Sequence, residues 1–116
     1  MLAVNPQIAI FIAVAHVDFR LGIDGLARCC RSILDTDPMS GAVFVFRNRR
    51  GTAIKLLTYD GQGFWLHHKR WSSGKLQWWP SSGTTCQKIP ARELHILLHN
   101  GIPNNANMAS DWRELR

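Results

Sequence analysis

The chain has 116 residues, a mass of 13.2 kDa and a formal charge of +6 at pH 7. That length holds one domain around one core, and 46% hydrophobic against 19% charged residues excludes wholesale disorder. Three cysteines cannot all pair within the chain and lack the spacing of a disulfide scaffold, which points to a reducing, cytoplasmic setting.

Residues 8–16 open on an unbroken apolar run rich in β-branched side chains. No Lys or Arg precedes the run, as a signal peptide would require, and a membrane span needs about 20 apolar residues. The run therefore reads as a buried strand. Asp18 to Gly22 form a turn, and a helix opens at Ile23. Leu26, Cys30, Ile33 and Leu34 recur at helical spacing on one face, and Asp37-Pro38 ends the helix because the proline ring disfavours α geometry before it. From Ser40 the period changes to two, which predicts strands over 42–46, 53–59, 64–71 and 76–79, joined by turns at 48–51, 60–61 and 72–74. After a Ser/Thr/Gly loop a second helix spans 90–100, with Pro90 in its first turn, Leu94, Leu97 and Leu98 as its buried stripe, and Gly101 and Pro103 as stops. The expected fold class is α+β: a four-stranded antiparallel meander plus an N-terminal strand, with two helices packed on one face. Residues 1–103 form the single domain, and the composition of 104–116 makes a polar, mobile tail.

The charge is concentrated. Between residues 47 and 75 stand seven cations, Arg47, Arg49, Arg50, Lys55, Lys69, Arg70 and Lys75, against the one acid Asp60, while the remainder of the chain is neutral. The stretch from Phe44 to Trp79 also holds eight of the eleven aromatic residues. Cations interleaved with aromatics on a β surface suit phosphate contacts and base stacking, and polyanions are the first partners of a basic surface.

Catalytic constellations are weak by comparison. His95 and His99 stand at i and i+4, a chelating spacing, but no glutamate makes the pair an H-E-x-x-H motif and no third ligand is near in sequence. His67 and His68 point to opposite faces of their strand. The cysteines lack zinc spacing, and the helix pair Cys29 and Cys30 reads as buried thiols. The acids fall at turns and helix ends, where capping accounts for them. Phosphate-binding and nucleophile-elbow motifs are absent. No enzyme activity, catalytic residue, metal or cofactor is expected.

Four segments carry a resemblance to a known family: VDFRLGIDGL at 17–26, DPMSGAVFVFRNRRG at 37–51, IKLL at 54–57, and YDGQGFWL at 59–66 followed by Lys69-Arg70. In this order and spacing they resemble the second-frame accessory protein, TnpB-type, of the insertion sequence sixty-six family of bacterial transposable elements. The likeness runs over residues 17–80 and departs from the usual pattern at Thr52, where an acid is commoner, and Thr58, where an aromatic is. It implies an accessory role in transposition beside a separate transposase that holds the catalytic acids. Combined with the charge pattern, it leads to an expectation of DNA binding through Arg47, Arg49, Arg50, Lys55, Lys69, Arg70, Lys75 and Trp71. The alternative is an adaptor that docks on the element's transposase, with exposed tryptophans such as Trp65, Trp71 or Trp78 as anchors.

Overall fold

The structure, a computed structural model, describes residues 7–102; the polar tail expected over 104–116 lies outside them. In chain order the elements are β1 (Ile10–Ala13), α1 (Ile23–Ser32), β2 (Val43–Arg47), β3 (Ala53–Tyr59), β4 (Phe64–Arg70), β5 (Cys86–Ile89) and α2 (Ala91–Leu98). They build an α+β fold on one five-stranded sheet of order β4-β3-β2-β1-β5. The β2-β3-β4 part is the expected meander, with Val45 opposite Leu56 and Leu57 opposite Leu66. β1 runs parallel to β2, so the sheet is mixed.

Two expectations fail here. Residues 76–79 do not form a fourth meander strand beside β4; they are an irregular segment, and the fifth strand, β5, instead pairs antiparallel with β1 at the opposite edge of the sheet. A short apolar run does not distinguish a strand from a packed loop. β5, with only Ile89 buried and Lys88 exposed, has the polar character of an edge strand and reads as loop in sequence.

The helices also do not share a face. Leu94 and Leu97 of α2 pack with Ile10, Ile12, Val43, Val45, Ile54 and Leu56 on one side of the sheet. Leu26, Ala27 and Cys30 of α1 pack with Phe44, Phe46 and Leu57 on the other. The reason is legible in β2, where Val43 to Phe46 are all buried: a strand apolar on both faces needs a layer on each.

α1 ends earlier than its apolar stripe suggests. The helix ends at Ser32 with Ile33 as its C-cap, and Asp35 takes φ 51°. Leu34 still turns inward, but Ile33 is 52% exposed, so the expected packing of Ile33 on the sheet is not found. Cys30 is fully buried, and burial pushes its thiol up to about 12, with the neighbouring Cys29 adding to the rise.

A buried cation ties the α1 side together. Lys55 points from β3 toward the segment that enters α1, and its Nζ donates to Phe19 O and Leu21 O, both at 2.9 Å. The ammonium also lies 4.9 Å from the Phe19 ring centre, and Phe19 meets the His68 ring edge-on at 5.6 Å. Desolvation first, and then the charges of Lys55 and Arg70, hold His68 below the ordinary histidine value of 6.5.

These contacts set two measurable outcomes. In denaturant unfolding, Leu26→Ala is expected to cost roughly 2–5 kcal/mol as a fully buried truncation, whereas Ile33→Ala should stay within about 0.5 kcal/mol; equal costs would contradict the early end of α1. A depressed histidine pKa favours the neutral ring in the fold, so stability carried by His68 is complete above pH 6.5 and is lost as pH falls through the lower folded value. NMR titration should show His68 titrating below 6.5 and moving upward in Arg70→Gln, which removes the exposed one of the two charges. An unmoved His68 would exclude Arg70 as a cause of the depression.

Candidate nucleic-acid interface

The turn between β2 and β3 is shaped by one side chain. Asn48 Oδ1 accepts from the backbone N–H groups of Thr52 and Ala53 at 2.9 and 3.2 Å, and Asn48 Nδ2 donates to Thr52 Oγ1 at 2.8 Å. An acid at position 52, the commoner residue in the resemblance, would offer the same acceptor. Gly51 takes φ 70°, a left-handed conformation that a side chain would strain.

The turn is not a free-standing ribbon. On one side Val17 N–H donates to Arg47 O at 3.0 Å, and on the other Leu76 N–H donates to Gly51 O at 2.7 Å. The tip is thus set into a broad ridge between residues 16–19 and 76–79, which does not suit the insertion of a narrow hairpin into a major groove.

Arg49 and Arg50 are exposed on this ridge, adjacent in sequence and both on the rim of two depressions. The first, about 390 Å³, is lined by His16 to Phe19 and Asn48. Asp18 is there, but its carboxylate is gripped by Arg20 at 2.7 Å. Hydrogen bonds from the Arg20 side chain and backbone N–H hold Asp18 at about 2. That pair is the single ion pair among the described residues, so neither Arg49 nor Arg50 has a carboxylate partner there.

The second depression is a cleft of about 180 Å³ walled by Arg47, Gly51, Leu76, Gln77, Trp78 and Trp79. Trp79 Nε1 donates to Ala13 O at 3.0 Å, which fixes its ring against the end of β1. The Arg47 guanidinium lies 5.8 Å from the Trp79 ring centre, a cation–π distance. Its Nη1 makes a long 3.4 Å bond to Asn48 O, and its buried Nε has no hydrogen-bond partner among the described residues. The wall is held from behind by Asn100, 2% exposed, which donates from Nδ2 to Lys75 O and accepts the Gln77 N–H at Oδ1.

The eight residues expected to bind nucleic acid separate accordingly. Arg47, Arg49 and Arg50 surround the cleft, and Lys75 is exposed at the start of its wall. Lys55 is buried on two carbonyls and Trp71 is 6% exposed within the core, so neither is at the surface. Lys69 Nζ donates to Leu98 O at 2.6 Å, where a cation meets the free carbonyls of the α2 C-terminus. Arg70 is exposed, but the β3–β4 register puts it with Lys55 and His68 on the α1 face, away from Lys69. Gln77 and Trp79 are not among the residues expected to bind, and Trp78 is named only as an anchor for the transposase; a strand over 76–79 would send the two tryptophans to opposite faces. The adjacent Trp-Trp pair before Pro80 was the available signal.

Elsewhere the chemistry is sparse. Asp60 caps its own turn, accepting from Gln62 and Gly63 N–H and from Trp65 Nε1 at 2.8 Å. It lies at the opposite end of β3 from Asp18, so these two acids do not converge. The His95 and His99 rings lie 4.6 Å apart, tilted by 51°, on the exposed side of α2. No set of three metal-ligating side chains comes together among the described residues, and no helix among them is long and apolar enough to cross a membrane.

Comparison with known proteins places this surface in a lineage. The family model described as IS66 Orf2 like protein matches residues 8–108. An uncharacterized protein, y4hO, of Sinorhizobium fredii is 34% identical over 113 residues, covering 97% of this chain and 90% of that protein. A second, y4jC, of the same organism is 37% identical over 75 residues, covering 65% of this chain and 64% of its own. No solved structure matches the chain. The matched span takes in every described strand and helix and both walls of the cleft, and the chain belongs to the IS66 Orf2-like family.

Proposed function

We propose that this chain is a non-catalytic accessory protein of DNA transposition, acting in the cytoplasm beside a separate transposase and contacting nucleic acid through the ridge of Arg47, Arg49, Arg50 and Lys75. Family membership supports the transposition role. The observation that carries nucleic-acid contact is the exposed pair Arg49 and Arg50 on a fixed turn, without a carboxylate partner among the described residues and beside a tryptophan-walled cleft. Adjacent like charges repel; a phosphate backbone supplies the missing counter-charge, and arginine forks match its oxygens. Lys69 and Arg70 add to the surrounding positive field. The acids named above serve turns and a local ion pair, which supports a binding role over a catalytic one.

A second reading, docking on the transposase, is favoured by Trp65. This ring is 54% exposed, its indole N–H is fixed on Asp60, and it stacks on His67 with centres 6.2 Å apart. A rigid exposed tryptophan has the character of an interface anchor, and it sits at the far end of β3 from the basic turn.

Binding to DNA of the element's ends, as duplex and as separated strands, tests the first reading across a salt series. The double variant Arg49→Ala, Arg50→Ala should bind more weakly. Its log–log salt slope should be shallower by about 0.9 for each duplex phosphate it no longer neutralises, or about 0.7 for a single strand. Its thermal melt should match the wild type, since exposed turn charges contribute little to stability. Unchanged affinity and slope in a folded double variant would transfer the role to Trp65 and the transposase.

A further inference from the structure

The cleft beside the basic turn is more elaborate than phosphate binding requires. Its volume of about 180 Å³ falls below the roughly 300–1,000 Å³ of sites that enclose drug-sized molecules, so it admits one flat ring system and little else. Trp78 and Trp79 are half-buried against the sheet core rather than lost in it. Arg47 is held over Trp79 with an unused buried donor at Nε. Gln77 is exposed, and its side-chain amide makes no hydrogen bond among the described residues, its backbone alone being anchored on Asn100.

We propose that this cleft receives a single unstacked nucleobase, and therefore that the favoured ligand is a single strand or an unpaired strand end rather than continuous duplex. The inference rests on the nucleic-acid reading above and narrows its ligand. In a duplex each base is stacked on its neighbours and offers only its edges in the grooves. A ridge flanked on both sides, with its tip clamped by Val17 and Leu76, does not reach those edges. An unstacked base presents an open π-face for an indole or a guanidinium, and a free Watson–Crick edge for hydrogen bonds. The Gln77 amide carries both a donor and an acceptor for such an edge. Arg49 and Arg50, on the rim of the same cleft, meet the phosphates flanking the base.

The full chain is titrated with a 12-nucleotide single strand carrying one 2-aminopurine, and with the same strand annealed to its complement, the two probes compared at each of several salt concentrations. The wild type should bind the single strand more tightly, with quenched protein tryptophan fluorescence and a changed 2-aminopurine signal. Trp78→Leu should weaken single-strand binding by about 5- to 150-fold, the fold-change that corresponds to one base–aromatic stack, without changing the salt slope. Gln77→Ala, at an exposed position, should lose base preference while remaining folded, and it decides the matter together with the wild-type strand ratio if Trp78→Leu melts early. Equal or tighter duplex binding, indifferent to Gln77→Ala and without tryptophan quenching, would overturn the base-cleft inference and leave the nucleic-acid reading in place. Failure to bind either probe at low salt would overturn both.

Discussion

Three hydrogen bonds at the Asn48 side chain, one donated and two accepted, close the turn that carries Arg49 and Arg50. With Gly51 in a left-handed conformation and backbone bonds arriving from Val17 and Leu76, the backbone that carries the two arginines is fixed by the fold. The same Leu76 bond seats residues 76–79 beside the turn and so makes the cleft. That segment in turn relies on Asn100, buried just beyond α2 at φ 54°, for its grip on Lys75 and Gln77. The site is therefore coupled to the docking of Leu94 and Leu97 on the sheet. The ordering of this backbone is therefore met by folding.

The seven cations of the central hairpins differ in what they do. Lys55 replaces its lost hydration with two carbonyl oxygens and the face of Phe19, which lets a charged group sit in the sheet without a carboxylate. Lys69 is engaged by the α2 C-terminus. What remains near the turn, Arg47, Arg49, Arg50 and Lys75, is a smaller and more localised positive surface than the sequence count implies. Trp65 on its Asp60 support stands at the other end of β3. The fold thus keeps a basic, tryptophan-walled end and an exposed aromatic end apart on one sheet.

The meander was legible because alternating residues and the Asp60-Gly61 turn fix register locally. β1 and α2 were legible because an unbroken apolar run and a Pro-to-Gly frame have few other outcomes. The two-layered helix placement was present in Val43 to Phe46, whose uninterrupted apolarity marks a strand covered on both sides; reading only the helical stripes missed it. β5 was hidden because an edge strand has one buried residue to show. At the site, Arg49 and Arg50 were visible as charge at a turn, but charge alone does not separate Lys55, which folds inward, from Arg49, which does not. The cleft depended on residues 76–79 leaving the sheet, a consequence of long-range bonds to Gly51, Asn100 and Ala13 that no local pattern announces.

If the basic turn and the segment facing it form one preformed nucleic-acid surface, a short DNA strand must perturb both at once. Backbone amide mapping by NMR during titration with such a strand reads this directly. The largest shifts should cluster at residues 47–51 and 75–79 together, with Asn100 following through its bonds to Lys75 and Gln77, while Trp65 and its neighbours stay still. Shifts centred on Trp65 and the Asp60 turn, or spread evenly over every exposed cation including Arg70, would contradict a single preformed surface.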